Sequence, residues 1–118
     1  MKYLIKWLIN SYFLYINSGH FHTLNGMVKE MYASHREGSL ELEVGDFKDN
    51  RLFRVAAIDH GLFSFVDVKL NDYPIILITN PKSSRFYMPG YEPVHRVEES
   101  THIRVLVYSS AVSWKIFI

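Results

Sequence analysis

Beyond residue 37 the chain is a succession of short apolar runs, each stopped by Gly, Asp, Asn or Pro, and such a succession has few solutions other than β-structure. Leu40, Leu42 and Val44 alternate with Glu41 and Glu43, the pattern of a strand with one wet face. Gly45-Asp46 and Asp49-Asn50 mark a loop, and Arg51 to Ile58 reads as the next strand. Asp59-His60-Gly61 is a tight turn into Leu62 to Leu70. These three strands are expected to form a meander, with Arg51 and Arg54 lying across from Glu41 and Glu43. Asn71-Asp72 breaks the chain again. Pro74 then opens the all-apolar run Ile75 to Thr79, which suits a strand covered on both faces, and Asn80-Pro81 ends it. Lys82 to Ser100 is loop-like. Ile103, Val105 and Val107 mark the last clear strand, and Trp114 to Ile118 is a further strand-like apolar segment.

The first residues read differently. Lys2, Lys6 and Asn10 recur every four positions and leave Leu4, Ile5, Leu8 and Ile9 on the other face, an amphipathic helix. The stretch is too short and too interrupted for a membrane span, and Asn17-Ser18-Gly19 is a poor signal-cleavage site. Phe13 to Ile16 reads as a short buried strand running into a turn at Ser18-Gly19. At 118 residues with 48% apolar content the chain can bury a core. A net charge of +1 gives no electrostatic reason to expect nucleic acid or an anionic membrane as partner. With no cysteine, neither a disulfide framework nor a thiolate metal site can form.

The chemistry is concentrated in Gly19-His20-Phe21-His22. In an extended segment, residues i and i+2 project to the same side, about 6–7 Å apart at Cα. Two imidazoles so placed can ligate one metal or lie across a pair of metals. The spacing is also short and frequent, so two solvated loop histidines are the plainer reading from spacing alone. Gly45-Asp46-Phe47-Lys48-Asp49 spells a Gly-Asp-x-x-Asp metal motif, but these are equally the residues that a loop between two strands requires. His35, His60, His95 and His102 read as solvated or locally bonded. Phe63, Phe65, Tyr73, Phe86 and Tyr87 read as core, not as a stacking platform for bases.

Gly-His-x-His after an apolar strand resembles the last metal motif of calcineurin-like metallophosphoesterases. Ser18 to Thr23, Gly38 to Arg51, Asp59 to Phe65, Leu77 to Ser83 and Thr101 to Leu106 are similar, more specifically, to the transmembrane protein 62 family. The resemblance covers roughly Ser18 to Tyr108. Residues 1–17 do not resemble the family closely; with the short N-terminal helix read above from periodicity, the resemblance implies a mainly β chain. The C-terminal strands of an α/β metallophosphoesterase sheet would be followed by the first strands of an Ig-like β-sandwich. Residues 1–17 would be a divergent helix and strand, 18–72 the end of the phosphoesterase domain, and 73–118 the start of the Ig-like domain. His20 and His22 would each contribute to one metal of a divalent pair of unspecified identity. The alternative reading is a non-catalytic β-rich interaction module, whose His-x-His is incidental and whose Ig-like half recognises a protein partner. Full-length relatives would be integral membrane proteins, anchored by segments this chain lacks. The superfamily's earlier motifs, Asp-x-His and Gly-Asn-His-Glu, are absent from these 118 residues. The chain is therefore expected to be a fragment, with weak metal binding or none and no activity of its own.

Overall fold

The computed structural model describes residues 15–18, 31–36 and 38–111. The expected N-terminal helix and the apolar segment Trp114 to Ile118 lie outside the described residues. Among those described, the chain is mainly β, in three small sheets. The first joins β1 (Tyr15–Ser18), β2 (Tyr32–Ser34) and β3 (Leu40–Glu43) in the order β1-β3-β2. β1 runs parallel to β3, and β2 antiparallel to it. The second is the hairpin of β4 (Leu52–Asp59) and β5 (Leu62–Lys69), and the third pairs β6 (Ile75–Asn80) with β7 (Arg104–Tyr108) antiparallel.

The alternation Leu-Glu-Leu-Glu does what its period demands. Leu40 and Leu42 are buried while Glu41 and Glu43 are half-exposed. The expected meander does not form, because β3 is already paired on both edges, by β1 and β2. Arg54 accordingly does not sit in a β3–β4 ladder. Its guanidinium forks onto the Asp67 carboxylate of β5 at 2.6 and 2.7 Å, donates to the Glu43 carbonyl at 2.6 Å, and lies over the Phe65 ring. The loop before β4 turns on Asp46, whose carboxylate accepts from the amides of Asp49 and Asn50 and from the Asn50 side chain.

The two-residue connection of β4 to β5 puts His60 and Gly61 at φ 51 and 85, the twist that a tight hairpin needs. Gly38, at φ 90 in the turn from β2 to β3, is held under the Tyr91 phenol, into which any Cβ at this position would collide.

β6 packs on β5 and β4. It was expected to be covered on both faces, but only one is: Ile75, Leu77 and Thr79 are buried, whereas Ile76 and Ile78 are 49% and 50% exposed. Tyr73, expected in the core, is also exposed. The other aromatic residues, also expected in the core, are only half-buried: Phe63, Phe65, Phe86 and Tyr87. Phe63, Phe65 and Phe86 stack in sequence, and the Phe86 ring meets Tyr32 edge-on at 5.4 Å, joining β5 to β2.

The segment from Pro81 to Ile103 is not featureless. It contains a 3₁₀ turn, Ser84–Phe86, and one helical turn, α1 (His95–Glu98). What anchors it is an ion pair. Lys82 and Glu92 have side chains 2% and 1% exposed and meet at 2.6 and 2.7 Å. Glu92 also accepts from the amides of Phe63 and Met88. Burial pushes the Lys82 ammonium below its usual range, and the Glu92 carboxylate pulls against that shift.

Two stability predictions follow from this packing. Leu77→Ala should cost roughly 2–5 kcal/mol. The neighbouring Ile78→Ala, on the open face, should cost less than about 1 kcal/mol. Chemical denaturation of both variants measures the difference, and equal losses would contradict the one-sided burial. Lys82→Met should cost about 3–5 kcal/mol by leaving Glu92 charged in a dry site. Adding Glu92→Gln should return about half of that or more, which a double-mutant cycle would read.

Candidate functional site

The two ends of the β4–β5 hairpin carry the polar clusters of the described residues, and their chemistry differs. At the turn end, Asp59 is saturated. One carboxylate oxygen accepts from Arg104 Nε at 2.6 Å and from the Thr79 hydroxyl at 2.8 Å. The other meets His60 Nδ1 at 2.6 Å. The Arg104 hydrogen bond is the main reason that the Asp59 carboxyl is held down at about 2, against a smaller opposing push from burial; His60 and Thr79 add to the lowering. A shallow depression opens beside the cluster, lined by Ala57, Ile58 and Leu106. With both oxygens engaged, Asp59 acts as a structural anion. It is neither a base nor a free ligand.

The opposite end of the hairpin lies by the last residue of β3, through the bond from Arg54 to the Glu43 carbonyl. The parallel register sets Ser18 beside Glu43, so β1 and β3 finish together at their carboxyl ends. His20 follows the last residue of β1 by two positions in sequence. In sheets with parallel strands, ligands bind beyond the carboxyl ends of the strands. Both His20 and His22 lie outside the described residues. Asp46 and Asp49 follow β3 at this same end, yet the Asp46 carboxylate is consumed by its own loop, as the loop reading of Gly-Asp-x-x-Asp expects. Among the described residues no group of three or more His, Cys, Asp or Glu side chains could hold a metal ion.

The remaining histidines are locally bonded where a partner is seen. His35 Nε2 meets Glu41 at 2.8 Å, and His102 Nδ1 meets the Thr101 hydroxyl at 2.7 Å. Sequence reasoning missed the residues that hold this region together: Asp59 with Arg104, and Lys82 with Glu92. Asp59 and Arg104 are 45 residues apart and Lys82 and Glu92 are 10 apart, and no local spacing marks either pair.

The depressed carboxyl of Asp59 makes a pH prediction. A group whose folded pKa lies below its unfolded value stabilises above the unfolded pKa and loses that contribution as pH falls through the folded one. Stability should therefore drop between pH 3.8 and about 2. Asp59→Asn should remove roughly 1–2 kcal/mol at neutral pH and flatten that acid limb, which denaturation at several pH values would show.

Residues 70–118 match the family model described as TMEM62 Ig-like domain. Over 91 residues the chain is 53% identical to mouse Transmembrane protein 62, covering 77% of this chain and 14% of that protein. A provisionally named metallophosphoesterase of Arabidopsis thaliana is 38% identical over 81 residues, covering 61% of this chain and 11% of its own length. The chain thus spans about a seventh or less of the length of these curated relatives. No solved structure gave a significant match. The mouse relative is by name a membrane protein, and among the described residues no helix is long and apolar enough to cross a membrane. By these matches the chain is a relative of transmembrane protein 62, with residues 70–118 falling in the TMEM62 Ig-like domain.

Proposed function

We propose that this chain supplies the last metal-ligand motif of a phosphoester-hydrolysing site, together with the join from that site's sheet to an Ig-like domain. The observation that carries the reading is the parallel β1–β3 pair, in which β1 ends at Ser18, the residue before Gly19-His20-Phe21-His22 in sequence. The similarity to a provisionally named metallophosphoesterase supports it. In this reading residues 18–72 are the end of the phosphoesterase domain, and His20 and His22 each offer an imidazole nitrogen to one ion of a divalent pair. Such a pair, when bound, polarises a phosphoryl oxygen and lowers the pKa of a metal-held water. Carboxylate and imidazole ligands from further strands are needed to hold both ions, and the 118 residues carry no Asp-x-His and no Asn-His pair. The chain by itself is then inactive.

A second reading has one observation behind it. Ile76, Ile78 and Val107 leave an apolar surface open on the β6–β7 sheet. A non-catalytic β-rich module that recognises a protein through its Ig-like part would use such a face.

Metal binding separates the two. On the first reading the chain should bind zinc weakly, with affinity falling as pH drops through the ordinary histidine range near ~6.5. His20→Ala and His22→Ala should each abolish that binding in titration calorimetry. Binding unaffected by either substitution, or none at all, would favour the interaction module. Hydrolysis of a chromogenic phosphodiester should stay at the buffer rate with manganese present. Turnover lost in His20→Ala would overturn the inactivity of the isolated chain.

A further inference from the structure

The link between the two parts of the chain, Leu70 to Pro74, is short and exposed, which is how a hinge between domains looks. The contacts across it say otherwise. At the hairpin turn, Asp59 is bonded to both strands of the β6–β7 sheet, through Thr79 and Arg104. Arg96, in α1, donates to the His60 carbonyl at 2.9 Å. One residue into β5, the Phe63 amide donates to buried Glu92. Phe65 stacks on Phe86 with ring centroids 4.9 Å apart. At the open end of the same hairpin, Arg54 is clamped to the last carbonyl of β3. The hairpin is thus fixed at one end to residues matched by the Ig-like model and at the other to the sheet that carries β1.

We propose that the β4–β5 hairpin is a rigid strut, locked to the β6–β7 unit at its turn and to β3 at its open end. The hairpin and the Ig-like region thereby move as one body that does not swing about Leu70 to Pro74, and Arg54 ties that body to the end of β3. The hairpin belongs mechanically with the residues after it, although the family match begins only at residue 70. This holds whether or not His20 and His22 take a metal, so it stands or falls apart from the proposed function.

The physical reason is the kind of contact. Charge-assisted hydrogen bonds with restricted solvent access are stronger than neutral ones, and a carboxylate that loses its partners in a dry site is costly. To swing the two parts apart would strip Asp59 of Arg104 and Thr79, take the Phe63 amide from Glu92, and break the ring stack. Contacts of this kind are made or lost as a group, so one arrangement is favoured over a range of angles.

The test severs the link and leaves the strut. A site-specific protease sequence inserted between Asn71 and Asp72 in the full chain allows the connection to be cut after folding. The two pieces should co-elute as one species in size-exclusion chromatography and part only in denaturant. Asp59→Asn combined with Arg104→Gln should weaken the cut complex by about tenfold or more. Hydrogen exchange on the uncut chain is the second measurement, and it does not depend on the variant folding: amides of β5 and β6 should open together with matching protection. Pieces that separate once the wild-type link is cut would overturn the proposal. So would a cut complex indifferent to the double substitution, or hairpin amides that exchange independently of β6.

Discussion

Glu92 accepts four hydrogen bonds, two from Lys82 and one each from the backbone amides of Phe63 and Met88, in a pocket that water hardly reaches. Between Asn80 and Arg104 the chain has no strand, and a connection of that length without an anchor is uncommon in a compact fold. The ion pair supplies the anchor. Desolvating two charges is expensive, and the net stabilisation from such a pair is small or even negative relative to an apolar substitute. Its value here is geometric, because only one placement of the segment lets Lys82, Phe63 and Met88 all reach one carboxylate. That placement puts Phe86 against Phe65 and Tyr32, and Tyr91 over Gly38.

Local structure was legible in the sequence wherever one period or one turn decided it. The Leu-Glu alternation located β3, Asp59-His60-Gly61 located the hairpin turn, and Asn80-Pro81 located the end of β6. Pairing was less legible. Nothing in residues 40–58 reveals that β3 has both edges filled by β1 and β2, so adjacency in sequence was misread as adjacency in the sheet. The run Ile75 to Thr79 fixed a strand but could not say how many of its faces find cover, since an apolar run looks the same either way. The buried Lys82 and Glu92 sit in a Pro- and Gly-bearing stretch that has every mark of a solvated loop.

The candidate motif was found by the opposite route. His20 and His22 draw their meaning from chemistry and resemblance, and spacing alone left two solvated histidines as the plainer account. What the described residues add is the context on either side of the motif. β1 leads into it in parallel register with β3, and the nearby Gly-Asp-x-x-Asp spends its first carboxylate on capping its own loop. A motif read as letters had two candidates at this end of the sheet. Hydrogen-bond accounting removes the Asp46 carboxylate from one of them.

The tie between Asp59 and Arg104 also has a history in time, because its partners are 45 residues apart. The β4–β5 ladder needs only a two-residue connection, and hairpins of that kind close in microseconds. Arg104 must instead bring back a long loop whose closure entropy is spent before any contact repays it. The hairpin is thus the natural early structure, and its turn, with Asp59 already displayed beside His60, waits as a template on which the last strand is captured. A chain emerging slowly from a ribosome would finish this half of its fold only when Arg104 had arrived.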